Sequence, residues 1–168
     1  MYLSTEMMTD DTPRAFAPDR RTASALRLWV VLSRACASVA EHGDRQVAAH
    51  GLTPAEFGVL EALYHKGPLL VGELQRKVLV SSGGTTYLVD RLARRGLVER
   101  HDCPTDRRAR YAALTSRGEQ LIARIFPEHA RVIADAMSGL TEDKKRQATA
   151  LLRELGLHAA PAGEDTAA

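Results

Sequence analysis

The side chains with most to offer chemically are the arginines in the middle of the chain. Between Arg76 and Arg117 lie Arg76, Lys77, Arg91, Arg94, Arg95, Arg100, Arg107, Arg108, Arg110 and Arg117, against only Asp90, Glu99, Asp102 and Asp106. That segment therefore carries +6, while the whole 168-residue chain carries +2. Such asymmetry suits a polyanion-binding surface, because neutralised phosphates supply most sequence-independent affinity for nucleic acid. Groups that could serve catalysis are dispersed instead. The six histidines (His42, His50, His65, His101, His129, His158) show no H-E-x-x-H spacing, and no nucleophile elbow or phosphate-binding glycine loop occurs. Enzymatic turnover is not expected, nor is a bound metal or cofactor.

The two cysteines, Cys36 and Cys103, are too far apart for a C-x-x-C pair. Neither a zinc site nor a disulfide framework is indicated, and a reducing, cytoplasmic setting is expected. With 45% apolar and 26% charged residues the chain reads as an ordinary soluble globular protein. No apolar run is expected to reach the ~18–20 residues of a membrane span. Met1 to Asp10 lack the basic-then-apolar order of a secretory signal. No membrane partner is expected.

Six helices and a hairpin must position the arginines. A long helix should begin near Asp19, with Leu28, Val31, Leu32, Ala35 and Val39 on one stripe, and Gly51 should close it. Thr53-Pro54-Ala55-Glu56 is a capping box with proline in the first turn, opening a second helix that Gly67-Pro68 ends. A short third helix spans 71–78; Leu70 and Val71 stand where a polar cap is common, so its start should fray. A fourth helix runs from Ser81-Ser82 to Arg95 and stops at Gly96. Residues 97–100 and 110–114 read as strands around a polar turn at 101–109. Thr115 or Ser116 caps a fifth helix, in which Pro127 should introduce a kink. A sixth helix opens at Thr141 and should end at Gly156. The expected class is mainly α with a small β-wing: a winged helix-turn-helix joined to a helical dimerisation region. The divisions are a tail at 1–18, a dimerisation helix at 19–50, a winged helix-turn-helix at 51–115, dimerisation helices at 116–157 and a second tail at 158–168.

In that order of elements the fourth helix enters a DNA major groove and the hairpin reaches along the backbone. Thr85, Leu88, Val89 and Leu92 share one side of its helical wheel. Gly83, Thr86, Tyr87, Asp90 and Arg94 share the other, flanked by Ser82 and Arg91. Ser81, Ser82, Thr86 and Tyr87 can bond phosphates or base edges, Gly83 permits close approach of the backbone, and Arg91 and Arg94 supply charge. In the turn, Arg107 and Arg108 are suited to a narrow minor groove, and Asp106 is placed to hold Arg108. The expected partner is double-stranded DNA carrying a pseudo-palindromic operator, bound by a homodimer. The competing class is a winged helix used only as a protein-interaction module, which the +6 segment argues against.

From Leu52 to about Gly156 the chain resembles the MarR family of bacterial regulators. The resemblance rests on Leu52-Thr53-Pro54, Gly67 followed by Gly72-Glu73-Leu74, Val89-Asp90-Arg91-Leu92, Gly96-Leu97-Val98, Asp106-Arg107-Arg108 and Leu114-Thr115-x-x-Gly118. Ser81-Ser82-Gly83, Thr86-Tyr87-Leu88-Val89-Asp90 and Cys103-Pro104-x-Asp106-Arg107-Arg108 resemble the MhqR-type subgroup that responds to quinones and phenols. The resemblance implies an obligate dimer built on the first, fifth and sixth helices, and a repressor that releases DNA on binding a small aromatic ligand. It also implies that Arg108 is the wing-tip arginine, oriented by Asp106, and that Asp90 fixes the wing to the recognition helix. An effector pocket is expected beneath the kinked fifth helix and the first helix, with Trp29 and His65 as lining residues. The early cysteine of the peroxide-sensing branch is missing; its place falls near Trp29. Cys36 should pack as a small core residue. Cys103, near His101 and Arg107, is the candidate for thiol sensing.

Overall fold

The computed structural model describes residues 16–78, 82–102 and 110–159. It divides into two units, one up to Ala37 and one from Ser38 onward. Helix α1 (Arg20–Ala49) opens on Asp19, whose Oδ1 accepts the Thr22 N–H at 2.7 Å. In its first two-thirds Leu28, Val31 and Trp29 are exposed, and so is Cys36, contrary to the expectation of a core cysteine. The expectation that no apolar run approaches membrane length also needs correction. An 18-residue window of α1 reaches a mean hydropathy of 1.3, enough by length and composition to cross a membrane. Between Ala23 and Ala40 only Arg27 and Arg34 are charged.

From Ser38 onward, the last turns of α1 join the core. Gly43 and Gln46 pack against α5 (Ser116–Ala136). A Cβ on Gly43 would stand 2.9 Å from the His129 ring, and His129 Nδ1 lies 3.2 Å from Gln46 Oε1. Helix α2 (Pro54–Lys66) carries the expected capping box in full. Thr53 Oγ1 accepts the Glu56 N–H at 3.2 Å, and Glu56 Oε2 accepts the Thr53 N–H at 2.8 Å. Its buried Phe57, Leu60 and Leu63 meet Leu74 of α3 (Val71–Val78), Val89 and Leu92 of α4 (Ser82–Arg94), and Ile122 and Ile125 of α5. These apolar faces form one core, and it holds α3, α4 and the strands that follow in place.

The sheet has three antiparallel strands in the order β1-β3-β2, with β1 Leu69–Leu70, β2 Val98–Asp102 and β3 Arg110–Leu114. Leu69 pairs with Ala112, and the β2–β3 ladder runs from Val98 opposite Leu114 to Asp102 opposite Arg110. Strand β1 was not expected, since two residues show no alternation to read. It also explains how α3 starts without a polar cap: β1 leads straight into it, and Glu73 Oε2 accepts the Leu70 N–H at 3.1 Å. The half-box replaces the missing cap.

Thr115, not Ser116, caps α5, its Oγ1 accepting the Gly118 N–H at 3.0 Å. Helix α5 continues through Pro127. Helix α6 (Glu142–Ala159) runs past Gly156, so that glycine does not end it as expected. None of its residues is buried, and Leu151, Leu152, Leu155 and Leu157 are exposed. The architecture is mainly helical with a small wing, as the sequence suggested.

Candidate nucleic-acid interface

Helix α4 separates into two faces as its wheel requires. Thr85, Leu88, Val89 and Leu92 are buried, whereas Thr86, Tyr87 and Arg94 are exposed, Tyr87 to 57%. A large aromatic left that open on a helix is either a contact residue or a liability. Ser82 and Gly83 lie in the first turn of the helix, and Ser81 falls outside the described residues. The wing tip, with Cys103, Asp106, Arg107 and Arg108, also falls outside them.

At the root of the wing the geometry is explicit. Arg100 of β2 places Nη2 2.9 Å from Asp90 Oδ1 and 3.4 Å from the Thr86 carbonyl, both on α4. One guanidinium thus ties the strand to the helix, with Asp90 as its charged anchor. Arg110 pairs with Asp102 across the β2–β3 ladder. Between these elements opens a cleft of about 470 Å³, lined among the described residues by Leu70, Val71, Gly72, Glu73, Arg76, Thr86, Arg100 and Arg110. Arg100 and Arg110 enter its wall already paired with Asp90 and Asp102, and Glu73 already accepts a backbone N–H there.

Arg91 has a role that its place on the wheel did not reveal. Its Nε lies 3.0 Å from Glu56 Oε1, and the same oxygen accepts Arg95 Nη1 at 3.0 Å. Arg95 Nη2 reaches the Gly51 carbonyl at 3.1 Å. Sequence reasoning saw in Glu56 a helix cap and nothing more. The only available signal was a basic i, i+4 pair at the end of α4, Arg91 and Arg95, with no acidic residue three or four positions away on that helix.

A family model described as MarR family matches residues 50–109. The HTH-type transcriptional regulator MhqR of Bacillus subtilis is 42% identical over 138 residues, covering 82% of this chain and 95% of the relative. The chain belongs to the MarR family. It is accordingly a DNA-binding transcriptional regulator and not an enzyme. Among solved structures, the MarR-family regulator Sco3205 of Streptomyces coelicolor in complex with DNA superposes with a TM-score of 0.77. It shares 26% identity, covering 93% of this chain and 97% of that one. A mutant MarR of Escherichia coli complexed with operator DNA shares the fold, with a TM-score of 0.72, 22% identity and coverage of 79% and 95%.

In this MarR-family chain the two expected effector-lining residues lie in different units. Trp29 is 65% exposed on α1. His65, at the end of α2, meets Phe126 of α5 edge-on at 4.6 Å and neighbours Tyr64 at 5.3 Å.

Glu56 yields a prediction about pH. Burial works to raise its carboxyl, but the Thr53 N–H, the Arg95 hydrogen bond and the charges of Arg91 and Arg95 outweigh it, so ionisation is favoured and the value is lowered. A lowered carboxyl contributes stability that is fully present above the unfolded value, about 4.3. That contribution is lost as pH falls from there through the folded value. Calorimetry at fixed protein concentration should show wild type losing thermal stability more steeply than Glu56→Gln as pH falls below about 4.3, the unfolded value. Parallel curves would mean that the carboxylate is not linked to folding.

Proposed function

We propose that the chain is a homodimeric repressor in the cytoplasm, which inserts α4 into the major groove and the β2–β3 wing into the flanking minor groove of a pseudo-palindromic operator. The observation carrying this reading is the open face of α4, where Thr86, Tyr87 and Arg94 stand together beside a wing root built on Arg100 and Asp90. Ser81, Ser82 and Gly83 supply hydroxyls and backbone N–H groups to the same groove, and Arg107 and Arg108 the minor-groove contacts. The organisation follows: residues 51–115 bind DNA, 19–50 and 116–157 dimerise, and 1–18 and 158–168 are tails. The uncovered leucines and valines of α1 and α6 support the dimer, because exposed apolar stripes of this length call for a partner.

Two copies should present their α4 helices roughly 34–36 Å apart, one turn of DNA. Selection of bound duplexes from a random pool is expected to return an inverted repeat with that spacing. Sedimentation of the free protein at micromolar concentration should give twice the chain mass; a stable monomer there would refute the two-fold assembly.

Release by a small aromatic ligand is the second part of the proposal. The ring cluster of Tyr64, His65 and Phe126 supports it, since it offers edges and faces for stacking at the α2–α5 junction. We place His65 as a lining residue, with modification of the Cys103 thiol as the alternative trigger. A panel of phenols and quinones titrated against the protein–operator complex tests both, because only the thiol route should disappear in Cys103→Ser. If no compound loosens the complex, neither trigger operates.

A further inference from the structure

Glu56 is fully buried, and the side chains it binds, Arg91 and Arg95, come from the C-terminal end of the recognition helix. Oε2 is occupied by the Thr53 N–H, and Oε1 is shared by Arg91 Nε and Arg95 Nη1. Since Arg95 also reaches the Gly51 carbonyl, the C-terminal end of α4 is fastened to the corner between α1 and α2. A glutamine would satisfy the cap as well. Only a carboxylate neutralises two arginines one helical turn apart, which would otherwise repel each other.

We propose that Glu56 is a positioning residue for operator recognition, holding Arg91 and the C-terminal half of α4 in register with the groove. The inference rests on the reading of α4 as the DNA-contacting helix. A guanidinium has five N–H donors, and Glu56 takes the Nε–H of Arg91, leaving four on the terminal nitrogens. With the Nε bond made, the plane of the group is set while its side chain remains 42% exposed. Arg91 thus faces the groove pre-oriented toward base edges, and a fixed fork there favours the matched site over random sequence, because only the matched site offers acceptors in its plane.

Charge counting makes the proposal testable. Glu56→Gln adds one positive charge to the DNA-binding lobe, so electrostatics alone predicts tighter binding to every duplex. The positioning role predicts instead that a duplex selected by wild type is bound about tenfold more weakly, while a scrambled duplex is bound as tightly or more so. Arg91→Lys keeps the charge, but its single ammonium cannot both grip the carboxylate and face outward, so the same loss of preference is expected. The double variant should lose no more than either single one, since the two act as a unit.

Titrations well below each variant's unfolding temperature separate this from a stability effect, which would leave the ratio of selected to scrambled binding untouched. An unchanged ratio in Glu56→Gln, or losses that multiply in the double variant, would overturn the proposal. If Glu56→Gln does not fold, an unchanged ratio in Arg91→Lys overturns it alone. Wild type preferring no duplex removes the underlying reading as well, whereas loss of preference in the variants alone supports the positioning role.

Discussion

Gly118→Ala should lower the stability of this protein by about 3 kcal/mol, at the upper end of what overpacking costs. A Cβ at Gly118 would stand 2.0 Å from the Leu97 carbonyl oxygen and 2.9 Å from its carbon. Both are backbone atoms, and they cannot swing aside as a side-chain end could. That carbonyl accepts the Thr115 N–H at 3.1 Å, and Thr115 Oγ1 accepts the Gly118 N–H at 3.0 Å while donating to the Gly96 carbonyl at 2.8 Å. Moving α5 away to admit a methyl group would therefore break the joint that links the end of α4, the start of β2 and the cap of α5. For a chain of this size the midpoint should drop by roughly 6–12 °C. Gly156→Ala provides the contrast. Gly156 lies inside α6 with nothing within 4 Å of a Cβ, so alanine should stabilise by roughly 0.5–1 kcal/mol through helix propensity. Thermal unfolding of the two variants should thus move in opposite directions. A Gly118→Ala protein with the wild-type midpoint would show that α5 does not approach the backbone so closely.

In the wing, Arg108→Ala should cost roughly 1–3 kcal/mol of operator affinity, about 5- to 150-fold, if its guanidinium enters a minor groove. Arg94→Ala removes an exposed cation from the open face of α4. It should weaken binding to all sequences almost uniformly and lower the salt slope by about one unit. Asp106→Ala separates two models. It makes the wing more positive, so electrostatics alone predicts tighter binding, whereas a carboxylate that orients Arg108 predicts weaker binding to the operator. Titrating the three variants against specific and random duplexes across a salt series resolves them. Tighter operator binding by Asp106→Ala would eliminate the orienting role.

Some of this protein was legible from residue order alone, because the relevant forces act over a few residues. The capping box at Thr53 and Glu56 is a contact across three positions. Gly51 and Gly96 stop helices by adopting φ of +70° and +68°, which their missing side chain permits. The buried side of α4 is a matter of helical period, and all four expected residues, Thr85, Leu88, Val89 and Leu92, are inside. The order of elements was enough to reach the fold, and the spaced motifs from Leu52 to Gly118 carried the resemblance to the family.

What lay beyond that reading depends on partners distant in the chain. Glu56 and Arg95 are 39 positions apart, and no local rule tells a capping glutamate from one that also holds two arginines. Strand β1 is two residues long and exists only because β3 offers it a ladder. Gly156 carries the residue type of a helix stop but sits in a helix that continues, since glycine permits termination without enforcing it. Cys36, Leu28 and Val31 of α1 look like core by composition, yet they are exposed in the described chain. Periodicity reports that a face is apolar; which surface covers it is decided by tertiary contacts, or by a second chain.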